Sequence, residues 1–288
     1  MCRFIAYIGK PLIIHAMLFE PENSLINQST HAKEMPEPLN GDGFGLGWYV
    51  PEIDSEPGLF KSINPAWNDQ NLKHLSKKIQ SPCFFAHVRS ASKGAIAQYN
   101  CHPFQYEDWL FMHNGTIFDF ELIRRDMCHP LSDKIYNWIK GQTDSEHLFA
   151  LLLERMQRNH GSFDPKQIPH YFGEVIAEIN TFKAKRHITS NTYINAVLTN
   201  GKSMIAIRYS ADPENPPLSL HYNVGSQFSA KENYYHILPP VNDKNEIVVI
   251  SSEPLTTFEE EWIDLPSNYF LMVSEDLSTT IQPLNIPT

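Results

Sequence analysis

The chain has 288 residues, a hydrophobic content of 42% and a charged content of 19%, which is the composition of a globular protein and not of a disordered one. Its net charge of −10 argues against binding to nucleic acid or to an anionic membrane, because both need clustered positive charge. The apolar stretches are too short to span a membrane and the four cysteines form no Cys-x-x-Cys pair, so we expect a cytoplasmic protein without membrane segments or bound metal.

The first part of the chain predicts short strands separated by loops. Phe4 to Ile8 is an apolar, β-leaning run that ends at Gly9 and predicts a buried strand near the amino terminus. Pro21 to Asn40 is rich in polar and turn-forming residues and predicts a loop. Trp48 to Val50 predicts a strand directly after a run of glycines, and Trp67 to Ile79 has apolar residues at helical spacing.

The middle of the chain predicts two strands followed by two helices. Cys83 to Val88 and Trp109 to Ile117 are the predicted strands, and Asn114-Gly115 interrupts the second with the sequence of a hairpin turn. The helices are predicted over Ser145 to Arg158 and over Pro165 to Thr181, where apolar residues recur at helical spacing.

The last third of the chain returns to strands. Strands are predicted at 193–198 and 204–209, with Asn200-Gly201 as the hairpin turn between them, and again at 247–251 and 269–273. Strands, then central helices, then strands again predict a layered α+β fold.

Cys2 stands directly after the initiator methionine, where chain ends fray and a structural thiol is unexpected. If Met1 is removed, Cys2 carries both a thiol and a free α-amine, and an α-amine of pKa about 7.7–8.0 can accept the thiol proton near neutral pH. One residue would then supply nucleophile and base. The alternative is that Met1 is retained and the position of Cys2 has no chemical meaning.

Three further features each have a structural and a functional interpretation. Arg89 ends a predicted strand and is either a surface charge or a bidentate clamp for a carboxylate, to which the Ser92 hydroxyl could add a donor. Asp144 begins the long helix and either complements the helix dipole or holds an ammonium group. Asn114 and Gly115 form either a hairpin turn or an oxyanion hole.

The glycine run from Gly41 to Gly47 contains neither a phosphate-binding Gly-Lys-Ser/Thr nor a Gly-x-Gly-x-x-Gly. A tight turn before a strand is favoured here, and close approach of the backbone to a small ligand is the alternative.

The order of these features is more informative than any one of them. The chain resembles the class-II glutamine amidotransferases, and more closely their stand-alone YafJ-like branch, in six ordered motifs: Met1-Cys2, Asn40-Gly41-Asp42-Gly43-Phe44-Gly45, His87-x-Arg89-x-Ala91-Ser92, Asn100-x-His102-Pro103-Phe104, His113-Asn114-Gly115 and Thr143-Asp144-Ser145-Glu146. Segments 195–201 and 251–256 are similar to that branch too, so the resemblance reaches nearly the full length.

The resemblance implies a four-layer αββα fold of the N-terminal-nucleophile hydrolase type, with residues 1–288 as a single domain whose mature form is 2–288. It implies that Cys2 attacks the side-chain amide of glutamine, with its own α-amine as base. It further implies that the Asn114 side chain and the Gly115 N–H stabilise the tetrahedral oxyanion. No cofactor is implied.

The resemblance also implies how the substrate is held. Arg89, helped by Ser92, would bind the α-carboxylate, and Asp144 would bind the α-ammonium group. Asp42 and Gly43 match the glycine segment that lines the site in this family. The substrate is glutamine or a larger γ-glutamyl small molecule, and no motif specifies which.

Two other functions remain open on the sequence. The chain could be a glutaminase subunit that passes ammonia to a separate partner synthase, since it contains no acceptor or nucleotide motif of its own. It could also be a non-catalytic binding module, although the complete set of site residues argues against this. Lys93 stands where many class-II enzymes have a histidine, which is a departure in the loop of the carboxylate clamp.

Overall fold

Residues 2–35, 39–91, 95–158, 164–231, 234–242, 244–256 and 258–287 are described by the computed structural model. Within them the strands are β1 (Arg3–Ile13), β2 (Phe44–Trp48), β3 (Gly58–Ser62), β4 (Gln80–Val88), β5 (Phe104–Tyr106), β6 (Trp109–Ile117), β7 (Thr192–Thr199), β8 (Met204–Ser210), β9 (His221–Gly225), β10 (Gln227–Lys231), β11 (Tyr234–Leu238), β12 (Ile247–Ser251), β13 (Ile263–Asp264), β14 (Tyr269–Val273) and β15 (Thr279–Pro283). The helices are α1 (His15–Leu18), α2 (Leu25–His31), α3 (Gln70–Leu75), α4 (Phe120–Cys128), α5 (Asp133–Trp138), α6 (Asp144–Arg158) and α7 (Ile168–Lys185).

Two antiparallel sheets carry most of these strands. The first sheet has the order β13-β9-β12-β1-β4-β2-β3, so the amino-terminal strand β1 lies between β12 and β4 in its interior. The second sheet has the order β15-β14-β8-β7-β6-β5, and β10 pairs with β11 in a separate hairpin. Because β1 is paired on both sides, the start of the chain is held by backbone hydrogen bonds and does not fray.

Three buried apolar clusters define the layers. Successive strand residues point to opposite faces, so Phe4 and Ile8 of β1 face the second sheet while Ile5 and Tyr7 face the other way. The cluster between the sheets joins Phe4 to residues of both sheets, including Phe85, Met112, Val197 and Leu271. It forms the central contact of the molecule.

The other two clusters lie on the outer faces of the sheets. On the first sheet, Tyr7 and Phe84 pack with Leu25 of α2 and Leu72 of α3. On the second sheet, apolar residues of β6 and β7 pack against the helices, with α6 and α7 supplying Leu148, Leu152, Phe172 and Val175. Helices, sheet, sheet and helices thus follow one another, and the predicted αββα arrangement is confirmed.

Most of the predicted elements are confirmed, several with longer bounds. The predicted strands at 4–8, 83–88, 193–198, 204–209, 247–251 and 269–273 lie within observed strands, and the predicted helices at 145–158 and 165–181 coincide with α6 and most of α7. The predicted helix over Trp67 to Ile79 is regular only from Gln70 to Leu75, because Gln80 already begins β4.

The prediction of a loop over Pro21 to Asn40 is wrong where α2 forms. Ser24 begins this helix, and its hydroxyl accepts a hydrogen bond from the backbone N–H of Asn27 at 3.4 Å. Leu25 is buried against the first sheet. The sequence does not reveal this helix because its two apolar residues, Leu25 and Ile26, are adjacent and show no helical periodicity, so tertiary packing stabilises it. Residues 36–38 lie outside the described part of the chain.

The glycine run is divided between two structures: Gly41 and Gly43 precede β2, where the sequence predicts a turn, while Gly45 and Gly47 lie within β2 itself. A Cβ on Gly45 would lie 2.0 Å from the carbonyl oxygen of His102, and one on Gly47 would lie 2.7 Å from the Leu110 side chain. The glycines therefore allow β2 to approach the 102–110 segment closely, which a larger residue would prevent. The strand begins at Phe44, four residues earlier than the sequence predicts.

The predicted hairpin at Asn114-Gly115 is also wrong. Strand β6 runs without interruption, and its residues Asn114 and Gly115 pair with Asn195 and Ile194 of β7. A Cβ on Gly115 would lie 2.1 Å from the carbonyl oxygen of Tyr193, so the glycine serves close packing within the sheet and not a turn.

The structure contains no helix, among the residues it describes, that combines the length and the apolar character needed to cross a membrane.

Candidate active site

Cys2 lies immediately before β1, at the end of the first sheet where β4 finishes. Arg3 is paired with Val88, and the Cys2 thiol contacts the carbonyl oxygen of Ser90 at 3.5 Å. The nucleophile candidate is thus placed beside the segment that leaves β4, which carries Arg89. Residues that are 87 positions apart in the chain become neighbours through this strand pairing.

The segment that enters β2 is fixed against the same end of β4. The N–H of Asp42 donates to the carbonyl of Arg89 at 2.9 Å, and the N–H of Arg89 donates to the carbonyl of Gly43 at 2.8 Å. The Asp42 carboxylate accepts a hydrogen bond from the N–H of Ala91 at 2.7 Å. One corner of the first sheet therefore brings together four of the predicted site residues, namely Cys2, Asp42, Gly43 and Arg89.

Gly43 has a backbone conformation that favours glycine. Its φ is +111°, and a Cβ there would lie 2.7 Å from the carbonyl oxygen of Ser62 and 2.8 Å from the Cys101 sulfur. Both the dihedral angle and the lack of space require glycine. The turn that presents the Asp42 carboxylate to Ala91 depends on this residue.

The second sheet places Asn114 at the same end of the molecule. The Tyr49 hydroxyl donates to the carbonyl oxygens of Asp108 at 2.7 Å and of Thr199 at 3.2 Å. The backbone N–H of Tyr49 donates to the carbonyl oxygen of Cys83. Tyr49 therefore joins the start of β4 to the start of β6. Towards the other end of these strands, His87 of β4 lies close enough to His113 of β6 for their charges to interact. Asn114 follows Met112 on the face of β6 that points towards the first sheet.

The amide of Asn114 is buried with unused hydrogen-bonding capacity. Its side chain is 3% exposed, and neither Nδ2 nor Oδ1 has a hydrogen-bond partner among the described residues. Buried polar groups are nearly always paired, so an orphaned amide marks a position that another molecule can complete. On the neighbouring strand, Asn195 donates through Nδ2 to the carbonyls of Leu218 and Ser219, at 2.8 and 3.2 Å.

The backbone N–H of Gly115 points to the open side of β6. Ile117 donates its N–H to the Asp144 carboxylate at 2.8 Å and not to β7. Because N–H groups alternate in direction along a strand, the N–H of Gly115 points to the same side as that of Ile117. The Gly115 N–H thus points to the free edge of β6 next to the start of α6, and the Asn114 side chain lies on the adjoining face of the strand, towards the first sheet.

Asp144 begins α6 and contacts the end of β6. Besides its bond with Ile117, its carboxylate accepts a hydrogen bond from the N–H of Ser145 at 2.9 Å. A carboxylate at a helix amino terminus complements the helix dipole, which is the structural interpretation of Asp144. Its remaining lone pairs could also accept hydrogen bonds from an ammonium group, which is the functional interpretation.

Two loops connect Arg89 to the start of α6. Arg89 Nη1 and Asn100 Nδ2 both donate to the carbonyl of Ala95, at 3.3 and 2.9 Å. The Asn100 side-chain oxygen then accepts a hydrogen bond from the N–H of Gln142 at 3.4 Å. Hydrogen bonds thus connect the Arg89 guanidinium group, through Ala95 and Asn100, to Gln142, two residues before Asp144.

Three buried histidines lie beneath this corner. The rings of His87 and His102 are 4.4 Å apart, and His113 bonds through Nδ1 to the Ser145 hydroxyl at 2.9 Å. Burial, followed by the charge of Arg89, lowers the pKa of His87 to about 3. Burial also lowers the pKa of His102 and of His113. All three rings are therefore neutral at pH 7 and do not compete with Arg89 for an anion.

The thiol of Cys2 is not activated by its surroundings alone. Burial raises its pKa, and the nearby positive charges of Arg89 and Arg3 oppose this only in part. The thiol form therefore predominates at neutral pH, and a base is needed to generate the thiolate. The free α-amine that would follow removal of Met1 is such a base.

Two site residues were given no role in the sequence analysis. Arg3 and Glu253 are both fully buried, and Arg3 Nε lies 2.7 Å from Glu253 Oε1. Arg3 also donates through Nη1 to the Cys2 carbonyl at 3.0 Å. The sequence signals were a charge close to an apolar strand in each case and, for Glu253, its place in the 251–256 segment that resembles the family; neither identifies the partner 250 residues away.

Of the predicted site residues, Ser92 lies outside the described residues, as does Lys93. Within the described part of the chain, no group of three or more histidine, cysteine, aspartate or glutamate side chains could hold a metal ion. The four cysteines are free thiols.

Comparisons with known proteins find similar proteins over most of the chain. The family model for class-II glutamine amidotransferases matches residues 26–284. The probable glutamine amidotransferase DUG3 of Saccharomyces cerevisiae is 34% identical, over 96% of this chain and 82% of that protein. The γ-glutamyl-hercynylcysteine sulfoxide hydrolase of Mycolicibacterium smegmatis is 30% identical, over 99% of this chain and 100% of that protein. A glutamine aminotransferase class-II domain protein from Silicibacter pomeroyi superposes with a TM-score of 0.70 at 25% identity, over 100% of both chains.

Proposed function

Since the chain belongs to the class-II glutamine amidotransferase family, we propose that it hydrolyses the γ-amide bond of glutamine or of a larger γ-glutamyl compound through Cys2. The products are glutamate and either ammonia or an amine. The proposal takes residues 1–288 as one domain whose mature form begins at Cys2. Its main support is the position of the orphaned Asn114 amide, at the end of the second sheet that faces the Cys2 corner of the first.

In the proposed reaction, the free α-amine of Cys2 takes the thiol proton and the sulfur attacks the amide carbon. The Asn114 Nδ2 group and the Gly115 N–H stabilise the resulting oxyanion. The C–N bond then breaks, the proton passes to the leaving nitrogen, and a thioester remains on Cys2. Water cleaves the thioester, releases glutamate and restores the thiol.

The head group of the substrate is bound by charge in this proposal. Arg89, at the end of β4, binds the α-carboxylate, and Asp144, at the start of α6, binds the α-ammonium group. Asp42 and Gly43 line the same corner. Leaving one partner of such a buried pair without its counterpart typically costs about 2–5 kcal/mol, which is enough to select for the free amino-acid head group.

The leaving group separates the two substrate classes. The relatives' names include both a glutamine amidotransferase and a hydrolase of a γ-glutamyl compound. Both substrates share the γ-glutamyl head group, so the proposed contacts at Arg89 and Asp144 serve either. A further possibility, transfer of ammonia to a partner synthase, would appear as activity that depends on an added protein.

The test is glutamate release by a preparation whose intact mass is measured to show whether Met1 is present. Wild-type protein is compared on glutamine and on a γ-glutamyl dipeptide, with Cys2→Ala as the matched variant. We expect activity on at least one substrate, its loss in Cys2→Ala and a raised KM in Asp144→Asn. Hydrolysis that survives Cys2→Ala, or full retention of Met1 in an active preparation, would refute the proposed nucleophile.

A further inference from the structure

A buried ion pair lies directly behind the proposed nucleophile. Arg3 and Glu253 are each 0% exposed, and their side chains meet at 2.7 Å. Charged side chains are almost never fully buried without a specific partner, and a buried pair is weak evidence for a contribution to stability. The location of this pair therefore suggests a role beyond stability.

Arg3 holds the backbone of the nucleophile. Its Nη1 donates to the Cys2 carbonyl at 3.0 Å while its Nε is engaged by Glu253. A residue at the chain terminus is connected to the rest of the protein on one side only, so its carbonyl is the last backbone group through which it can be oriented. The α-amine and the thiol of Cys2 both depend on that orientation.

Glu253 holds a second segment of the chain at the same time. Its carboxylate accepts hydrogen bonds from the N–H groups of Lys33 at 3.0 Å and of Glu34 at 3.1 Å, and from Asn23 Nδ2 at 3.4 Å. These residues belong to the segment that precedes Asp42. The carboxylate thus has four donors in all, and it joins β12, the amino terminus and this segment.

The neighbouring residue reinforces the arrangement. Ser252 donates its N–H to the carbonyl of Phe4 at 3.1 Å and accepts the N–H of Phe4 on its hydroxyl at 3.1 Å. The end of β12 therefore contacts the start of β1 through backbone and side chain before Glu253 engages Arg3.

We propose that Arg3 and Glu253 are positioning residues that orient the α-amine and thiol of Cys2 for attack. This inference rests on the proposed function, because it assigns Cys2 as the nucleophile. A misplacement of a reacting group by about 1 Å can cost about 100-fold in rate, so a single lost hydrogen bond at the Cys2 carbonyl has a large kinetic effect.

The first test compares Arg3→Lys with a control that breaks another ion pair. Lysine keeps the charge but lacks the fork that reaches Glu253 and the Cys2 carbonyl together. We expect kcat to fall about 10- to 100-fold while KM changes less than about 3-fold, since the head group is bound elsewhere. The control is Arg155→Met, which breaks the contact with Glu178 at 2.5 Å. Arg155 lies about 16 Å along α6 from Asp144, and this variant should keep the wild-type kcat.

The second test measures how fast iodoacetamide alkylates Cys2 as a function of pH, with peptide masses to separate it from the half-exposed Cys128. Arg3→Met removes the guanidinium group and leaves the Glu253 carboxylate near the thiol, so it should raise the pH midpoint of alkylation. Glu253→Gln removes the carboxylate and leaves the Arg3 guanidinium group near the thiol, so it should lower the pH midpoint of alkylation. A purely structural role would not shift the midpoint in opposite directions. Arg89 and Cys101, which also face the thiol, are unchanged in both variants.

The outcomes separate this inference from the proposed function. If wild-type protein hydrolyses γ-glutamyl amides and Arg3→Lys keeps the wild-type kcat, the inference is wrong and the function stands. If wild-type protein hydrolyses none of them, the function is wrong, and the alkylation midpoints still decide whether the pair acts on Cys2. Opposite shifts support that action, and equal or absent shifts overturn it.

Discussion

Replacement of Asn114 by leucine should strongly reduce kcat without reducing stability. The side chain is 3% exposed, and both of its polar atoms lack partners among the described residues, so the folded protein gains no hydrogen bond from them. Leaving a buried donor or acceptor unsatisfied costs about 1–3 kcal/mol, and a leucine of similar shape removes that cost. The free energy of unfolding should therefore stay constant or rise, by up to about 3 kcal/mol.

Whereas the stability of Asn114→Leu should stay constant or rise, its activity should fall. Loss of one side-chain donor from an oxyanion hole typically reduces kcat by about 10²–10³-fold, and Asn114 would be that donor. Substrate binding should change little, because the proposed contacts with the head group are made by Arg89 and Asp144. The expected signature is a large fall in kcat with a similar KM and an unfolding midpoint that is equal or higher.

Asn195 provides the matched control, because it faces Asn114 across the β6–β7 pairing. Its Nδ2 donates to the carbonyls of Leu218 and Ser219, so Asn195→Leu removes two buried hydrogen bonds and should destabilise the fold by about 1–3 kcal/mol. Both variants are compared by urea unfolding and by glutamate release. A loss of stability in Asn114→Leu as large as in Asn195→Leu, or a kcat within about 3-fold of wild type, would show that the Asn114 amide is structural.

Two other predictions concern stability. Because the folded-state pKa of His87 is lowered to about 3, the unfolded state binds more protons below about pH 6.5, and stability should fall as the pH drops through this range. Urea unfolding at pH 6.5 and pH 5 should show a loss of about 2 kcal/mol from this ring that His87→Phe abolishes, and an unchanged pH slope in that variant would contradict it. Gly45→Ala places a Cβ 2.0 Å from the carbonyl of His102 and should destabilise the protein by about 1–3 kcal/mol in the same assay. Gly47→Ala meets the mobile end of Leu110 at 2.7 Å and should cost less; equal losses would argue against the backbone clash.

The sequence predicts the layered fold because the strongest periodic segments are those that form its core. The apolar run at β1, the β7–β8 hairpin with its Asn200-Gly201 turn, and the long helix α6 all carry local signals that tertiary packing reinforces. Helix α2 is missed because its local signal is weak and its packing against the first sheet cannot be seen in the sequence.

The same two residues, Asn114 and Gly115, show why local patterns mislead at the site. Asn-Gly favours a turn wherever nothing else determines the backbone, and the hairpin was the expected structure on that basis. Pairing with Asn195 and Ile194 keeps the strand straight instead. A glycine is needed there because the Tyr193 carbonyl leaves no room for a Cβ. Local rules therefore fail where close packing and an unpaired amide coincide, and such failures are expected at functional sites.

The amino terminus shows what a sequence cannot contain. Cys2 could be proposed as the nucleophile from its position and from the order of the motifs that follow, but the contact behind it comes from Glu253, far along the chain. Strand β1 brings the two together because it pairs with β12 on one side and β4 on the other. A nucleophile at a chain end needs such support, since a terminal residue has no preceding peptide bond to fix it. Burying the amino-terminal strand in the interior of a sheet, with an ion pair behind its first residues, supplies the rigidity that the terminus lacks.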